Sequence, residues 1–189
     1  MAGGDLTLVY LVQHAEKRPD PGDPELTEHG RSQAARTGLW LSRAGLSAVY
    51  SSPLRRAWQT AQFIATAADL DVHRDDRLRE RMNWDGSQPI GAFLADWARS
   101  VRDRDFVPPT GDSSRQAATR LCAFLHERAD LPGAVAAVTH GGVTADLLRT
   151  LMGDHAVPAS LMDQGVPSCA ITTLNGLKVV DVARTDHLR

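Results

Sequence analysis

The amino-acid sequence predicts an α/β fold, a three-layer αβα sandwich with a mostly parallel central sheet and helices on both faces. Short apolar runs typical of buried strands alternate with longer segments whose apolar residues recur at helical spacing. This alternation is what βαβ units require, and it favours a parallel sheet covered on both sides. A chain of 189 residues suits one such unit, so we expect a single domain over residues 1–189.

Each element is predicted from a local signal. The strands are expected where short apolar runs occur, at 6–12, 48–50, 72–74 and 134–138, with a closing hairpin at 169–174 and 179–182 around Asn175-Gly176. The helices are expected over about 28–43 after the cap residue Thr27, from Pro53 after the cap residue Ser52, from Pro89, around 117–125 and around 143–151. The segment at about 80–112 interrupts the alternation, and we expect it to form a small cap-like insertion over the site.

Composition excludes several classes of function. The formal net charge of -2 gives no electrostatic case for a nucleic-acid partner. Cys122 and Cys169 lack the spacing of a zinc ribbon and are too few for a disulfide framework. The first residues lack a basic segment, and the apolar run at 6–12 is too short for a signal peptide or a membrane span. We therefore expect a cytoplasmic protein without a membrane or nucleic-acid partner.

Two histidines follow predicted strands at the points where those strands end. His14 follows the first strand, and His140 follows the strand at 134–138. Ligands of parallel sheets bind beyond the carboxyl ends of the strands, so both side chains should face one site. Gly141-Gly142 comes directly after His140, where a helix begins, and a helix N-terminus favours an anion. The pattern predicts an anion site at this edge of the sheet.

Six short motifs occur in a fixed order over residues 8–142. They are LVQHAE at 11–16, LTEHGRSQA at 26–34, SSPLRRAWQTA at 51–61, LRER at 78–81, GDS at 111–113 and VTHGG at 138–142. Each motif alone is weak, but the ordered set resembles branch 1 of the histidine phosphatase superfamily, also called the phosphoglycerate-mutase-like family. Within that family, the short chain is most similar to the small phosphatases.

The resemblance implies a metal-independent phosphomonoesterase that needs no cofactor and acts on a small phosphorylated substrate. His14 would attack phosphorus and become a phosphohistidine. Glu80 would protonate the leaving oxygen and then deprotonate the water that hydrolyses the intermediate. Arg56 and His140 would hold the equatorial oxygens, where transition-state charge is spread. Gly141 belongs to the same predicted phosphate site.

Gln13 is the main departure from the family pattern, which has arginine at this position. Glutamine still donates a hydrogen bond, but losing a charged one costs about 1.5–3 kcal/mol. We hypothesise that Lys17 or Arg18, in the loop that follows, supplies the missing charge. Gln13 and Lys17 therefore complete the predicted phosphate-binding set.

Several alternatives stay open at this point. Asp85 or Asp112 could act in place of Glu80. A weakly active or inactive phospho-ligand-binding or regulatory homologue is a second function, and a phosphoprotein phosphatase would use the same chemistry. A phosphoglycerate mutase is disfavoured because the chain is short. A metallohydrolase could use His14, Glu16 and His140, although their spacing matches no metal motif.

Other residues have simpler interpretations. Trp40, Trp58 and Trp97 lie in helical patterns and are expected to serve packing. His187 is expected at the surface, close to a frayed C-terminus. The closing hairpin could pair with a second copy, so a homodimer is possible and the oligomeric state is left open.

Overall fold

A computed structural model describes residues 7–189, and its strands form one six-stranded sheet. The strands are β1 (Leu8–Gln13), β2 (Leu46–Ser51), β3 (Val72–Arg74), β4 (Ala134–Thr139), β5 (Ile171–Asn175) and β6 (Lys178–Arg184). Their order is β3-β2-β4-β1-β5-β6, with parallel pairing from β3 to β1 and antiparallel pairing of β5 with both neighbours. The predicted α/β fold is confirmed. Leu6, the predicted first residue of β1, lies outside the described residues.

Helices cover both faces of the sheet. They are α1 (Glu28–Leu41), α2 (Arg55–Ala68), α3 (Ile90–Arg102), α4 (Ser114–Glu127), α5 (Gly141–Met152) and α6 (Ala159–Gln164). One core lies between the sheet and α4 with α5, and it includes Leu11, Leu121, Val135 and Leu147. The other lies between the sheet and α1 with α2, and it includes Leu41, Val49, Ile64 and Val138. Each such buried side chain contributes about 1.5–3 kcal/mol, so the two cores fix the sheet edge that carries the site.

The predicted start of α2 is wrong by two residues. The helix begins at Arg55, with Leu54 rather than Ser52 as the cap residue. The Ser52 hydroxyl lies 2.7 Å from Nε2 of His140 and serves that ring instead. An Asp23 oxygen accepts the N–H of Arg55 at 2.7 Å, so a loop residue supplies the missing cap.

The segment at 80–112 contains α3, which has little contact with the rest of the chain. Ser100 is the only buried residue of that helix. One anchor near its end is a hydrogen bond of 3.0 Å from Nη1 of Arg149 to the Val101 carbonyl. The role of this segment as a cap stays a prediction.

The C-terminal residues pack against α1, so the prediction of a frayed end with a surface histidine is wrong. Nη1 of Arg36 donates to the Leu188 carbonyl at 2.7 Å, and the His187 ring lies half-buried against Trp40. The outer strand β6 leaves a sheet edge free for the homodimer, which stays a prediction. Within residues 7–189, we find no helix with the length and apolarity needed to cross a membrane.

Candidate active site

Three polar side chains meet where parallel strands end. His14 follows β1, Ser52 follows β2 and His140 follows β4. The strands β1 and β4 pair in parallel, with Gln13 opposite Thr139, which brings the two rings to a centroid distance of 5.2 Å. Their shared position at this edge is what the sequence pattern predicted.

The hydrogen bonds of His14 define its tautomer. Nδ1 lies 2.8 Å from the Ala15 carbonyl, which can only accept, so Nδ1 carries the proton. Nε2 therefore holds a lone pair, and Nε of Arg56 donates to it at 3.3 Å. Burial and then the Arg56 charge lower the pKa of His14 to about 3. The ring is neutral near pH 7, as a nitrogen nucleophile requires.

Arg56 is buried with an unsatisfied donor. Nη2 donates to Oδ1 of Asn83 at 3.0 Å, while Nη1 is buried without a hydrogen-bond partner among residues 7–189. Asn83 is itself held, because its Nδ2 donates to the Gly22 carbonyl at 2.8 Å. A guanidinium held in this orientation can donate its remaining N–H groups to an anion.

His140 is buried and neutral. Burial, followed by the charge of Arg56, holds its pKa well below the usual histidine range. Nε2 pairs with the Ser52 hydroxyl at 2.7 Å, and Nδ1 has no partner in the described part of the chain. One ring nitrogen is thus left for a ligand.

Glu80 lies at the N-terminus of α5. Its carboxylate accepts the backbone N–H groups of Arg81 at 2.7 Å, Gly142 at 3.0 Å and Val143 at 2.9 Å. A Cβ at Gly142 would lie 2.5 Å from Oε1 of Glu80 and 2.6 Å from the Trp97 ring, so a larger residue would displace both side chains. The helix start and this glycine together fix where the acid points.

The two alternative acids are engaged elsewhere. Asp85 is exposed and accepts from Ser87. Asp112 pairs with Arg79 and Arg120, each at 2.9 Å. Neither lines the cavities at the site, so Glu80 is the better candidate of the three.

Two adjacent cavities are lined by the predicted phosphate-binding residues other than His140, which is fully buried and lines neither. A cavity of about 460 Å³ is lined by His14, Lys17 and Arg56. A second cavity, of about 350 Å³, is lined by Gln13, Gly141 and Gly142. Glu80 and Trp97 line both. The structure therefore gathers His14, Lys17, Arg56 and Glu80 around one space and places Gln13 and Gly141 beside it.

The cations near Gln13 are not equivalent. Gln13 is buried, and its Oε1 lacks a partner among the described residues. Lys17 lines the larger cavity, where burial and Arg56 lower the pKa of its ammonium. Arg18 is exposed and lines neither cavity. Lys17 is thus the better placed of the two to replace the missing arginine.

A buried ion pair between Arg81 and Asp146 lies at the wall of the smaller cavity. Nη1 of Arg81 contacts both carboxylate oxygens of Asp146 at 2.8 Å, and the Trp97 ring stacks 4.2 Å from the guanidinium carbon. Burial raises the pKa of Asp146 to about 6 and outweighs the opposing effect of Arg81. The pair holds the residue after Glu80 in place.

Sequence reasoning missed four residues at the site. Trp97 was expected to serve packing, and its ring does stack on Arg81, but it also lines both cavities. Phe93 joins it on the wall of the larger cavity. Asn83 carries no sequence signal for its contact with Arg56. Ser52 had a signal in its motif, but it was assigned to a helix cap.

The donor sets do not favour a metal. Oε1 of Glu16 accepts from the Thr27 hydroxyl at 2.6 Å on the exposed surface and does not join the two histidines. Across residues 7–189, no group of three histidine, cysteine, aspartate or glutamate side chains could hold a metal ion.

A family model and several known proteins match this sequence. The model of the histidine phosphatase superfamily (branch 1) matches residues 9–178. Phosphoserine phosphatase 1 of Hydrogenobacter thermophilus is 35% identical over 65% of this chain and 64% of its own length, which is under two thirds. A probable phosphoglycerate mutase of Proteus mirabilis is 33% identical over 77% of this chain and 74% of that protein.

Solved structures share the fold. The mycobacterial glucosyl-3-phosphoglycerate phosphatase in complex with inorganic phosphate superposes with a TM-score of 0.72 at 28% identity, covering 97% of this chain and 99% of that one. A phosphoglycerate mutase from Bacillus anthracis has a TM-score of 0.73 at 18% identity, over 97% and 95%, which shows the fold alone. The family model confirms the predicted resemblance. At the level of the family, it also supports the expected class of enzyme, a phosphoric monoester hydrolase of the histidine phosphatase type. The chain belongs to the histidine phosphatase superfamily, branch 1.

Proposed function

We propose that this chain hydrolyses phosphate monoesters of small molecules and that His14 carries the phosphoryl group between two steps. One observation supports this most strongly. Nδ1 of His14 is bound to the Ala15 carbonyl, which leaves a neutral ring with its Nε2 lone pair beside Arg56 in an open cavity. Two relatives are named as phosphatases, one for phosphoserine and one for glucosyl-3-phosphoglycerate, which supports hydrolysis.

The first step forms a phosphohistidine. Nε2 of His14 attacks phosphorus in line with the ester oxygen, the P–O bond breaks, and that oxygen takes the proton of Glu80, which enters this step as the carboxylic acid. The phosphorylated ring keeps its Nδ1 proton, which the Ala15 carbonyl continues to accept. Nε of Arg56 must first turn from His14 to a phosphate oxygen, because the Nε2 lone pair cannot accept a hydrogen bond and bond to phosphorus at the same time.

The second step returns the enzyme to its starting state. The carboxylate of Glu80 takes a proton from water, the water oxygen bonds to phosphorus, and the P–N bond breaks. Inorganic phosphate leaves, and His14 regains its neutral ring. Atoms and charges balance with water as the sole co-reactant.

The phosphoryl oxygens would be held by Arg56, Lys17, Nδ1 of His140, Gln13 and Gly141. Arg56 contributes its Nη1–H, which has no hydrogen-bond partner among residues 7–189 and lies 3.9 Å from an Asp23 oxygen, and Lys17 contributes charge from the same cavity. Gln13 and Gly141 line the adjacent cavity, and His140 is the residue directly before α5. Charged donors of this kind stabilise the transition state more than the ground state.

The remaining assignments complete the proposal. The segment at 80–112 acts as a cap, since Trp84, Phe93 and Trp97 from it line the site. We place the enzyme in the cytoplasm, because Cys122 and Cys169 are unpaired thiols of the kind that a reducing compartment preserves.

Hydrolysis of 4-nitrophenyl phosphate tests the proposal. The wild-type chain should release nitrophenol in the presence of a chelator, and His14→Ala should abolish the release. His126→Ala is the matched control, since that histidine is exposed on α4. Rapid acid and alkaline quenches with a ³²P-labelled ester should show a label on the protein that acid removes and alkali preserves.

Four results would contradict the proposal. Turnover without a bound label would exclude the covalent intermediate. Phosphate binding without turnover would favour a phospho-ligand-binding homologue. Transfer of the label between two positions of a phosphoglycerate, at the expense of hydrolysis, would favour a mutase. A phosphopeptide preferred over every small ester would instead indicate a phosphoprotein phosphatase with the same chemistry.

A further inference from the structure

The apolar face of α3 is open to the cavity that contains His14. Ile90, Phe93 and Trp97 recur at i, i+3 and i+7 and therefore share one side of the helix. All three line the larger cavity, and Ile90 remains 46% exposed. An apolar stripe of this kind normally packs into a core, but here it borders an empty space.

Aromatic rings form part of the wall of the cavity that contains His14. The rings of Phe93 and Trp97 lie 6.1 Å apart at an angle of 39°. Nε1 of Trp84 donates to the Gln88 carbonyl at 2.9 Å, so its polar group is satisfied and its ring adds apolar surface. Met82 and Pro19 line the same cavity. A flat apolar group would be well covered here.

Charge around the cavity disfavours an acidic leaving group. The cations that line it are Lys17 and Arg56; Nε of Arg56 lies 3.3 Å from Nε2 of His14, and the proposed function assigns both cations to the phosphoryl group. The other charged side chains that line it are the carboxylates Asp20 and Glu80. In the smaller cavity, the cation Arg81 is paired with Asp146. A carboxylate on the substrate would thus lack a free cation and would lie near Glu80.

We infer that the preferred substrates are phosphate monoesters of uncharged alcohols that carry an aromatic or similarly flat apolar group, which packs on Ile90, Phe93 and Trp97. The inference rests on the proposed function, because it assigns the leaving-group side of the same site. It separates this chain from its relatives named for phosphoserine and glucosyl-3-phosphoglycerate.

The first experiment compares three primary alkyl esters, whose leaving groups are of similar basicity. They are 2-phenylethyl phosphate, glycerol 3-phosphate and O-phosphoserine. We expect kcat/KM for the phenylethyl ester to exceed that for glycerol 3-phosphate by at least about tenfold, which corresponds to about 1.4 kcal/mol. Phosphoserine should be the poorest of the three. A preference for glycerol 3-phosphate or phosphoserine in a His14-dependent reaction would overturn the inference and leave the proposed function intact.

The second experiment assigns the preference to α3. Phe93→Ala and Ile90→Ser should each lower the ratio of the phenylethyl to the glycerol kcat/KM by about threefold or more. Leu94→Ala is the control, because Leu94 is 55% exposed on the same helix but does not line the cavity. A merely structural effect would lower both kcat/KM values together and keep their ratio. We avoid Trp97→Ala, since Trp97 also stacks on Arg81.

A binding measurement keeps the inference testable if no ester is hydrolysed. 2-Phenylethylphosphonate cannot be hydrolysed, and its Kd should be at least about tenfold lower than that of methylphosphonate. Phe93→Ala should remove most of this difference. Equal Kd values would overturn the inference whether or not the chain is a phosphatase. Equal values together with a change of oligomeric state in Ile90→Ser would show that a second copy covers this face instead.

Discussion

Replacing His14 should make the protein more resistant to acid, because the site holds this ring neutral. The pKa of His14 is lowered from 6.5 to about 3, first by burial and then by Arg56. Below pH 6.5, the unfolded chain binds a proton that the folded chain refuses, so acidification favours unfolding. His14 therefore lowers the free energy of unfolding in acid, and this destabilisation disappears as the pH rises from about 3 to 6.5.

The magnitude follows from the width of this window. From pH 6.5 down to pH 4.5, the unfolded chain holds a proton that the folded chain lacks, and this span of about two pH units corresponds to about 3 kcal/mol at 1.36 kcal/mol per unit. His14 is only partly buried against an open cavity, so screening by water reduces the expected effect to about 2 kcal/mol. His140 is present in both proteins and cancels in the comparison.

Urea unfolding at pH 7 and pH 4.5 measures the effect in buffers without phosphate. Between these pH values, wild type should lose about 2 kcal/mol more than His14→Gln, which is about 1 M in midpoint for an m-value of about 2 kcal/mol/M. His126→Gln is the control, because this ring is exposed on α4. If His14→Gln loses stability in parallel with wild type, the ring is not held neutral and our account of the nucleophile fails.

Three further predictions concern charge around the site. Gln13→Arg should raise kcat/KM for 4-nitrophenyl phosphate by about 10- to 100-fold, since one charged hydrogen bond contributes about 1.5–3 kcal/mol; a decrease would identify Gln13 as a specificity residue. Lys17→Ala should raise KM or lower kcat by about tenfold, while Arg18→Ala keeps wild-type kinetics; equal effects would refute the role of Lys17. Asp146→Ala should cost about 3–5 kcal/mol in urea unfolding by leaving Arg81 buried without its partner, and the double variant Arg81→Met/Asp146→Leu should recover most of that loss.

Elements with strong local signals could be predicted from the sequence. β4 was placed to within one residue, because Ala134–Val138 is an unbroken apolar run. The site edge could be predicted too, since two histidines followed strands that pair in parallel. The helix start at Ser52 could not, because the same hydroxyl can cap a helix or bind a distant ring. Its choice depends on His140, which is 88 residues away.

Contacts between remote segments account for the rest. Asn83 supports Arg56 across 27 residues of chain, and no local pattern marks an asparagine for that task. Trp97 has the helical spacing of a packing residue, but periodicity cannot tell a core from a cavity wall. Whether an apolar stripe is covered depends on neighbours that only the folded chain brings near.

The position of Glu80 couples the proposed proton transfers to the stability of the N-terminal end of α5. In the proposed cycle, its carboxyl group gains and loses a proton at every turnover, yet the same oxygens bind the first free N–H groups of α5. Each protonation would thus weaken the attachment of that helix end, and each deprotonation would restore it. Substitutions here would change folding as well as rate, since losing such a cap costs about 0.5–2 kcal/mol. A slow Glu80 variant therefore has to be corrected for its unfolded fraction before the rate loss is assigned to proton transfer.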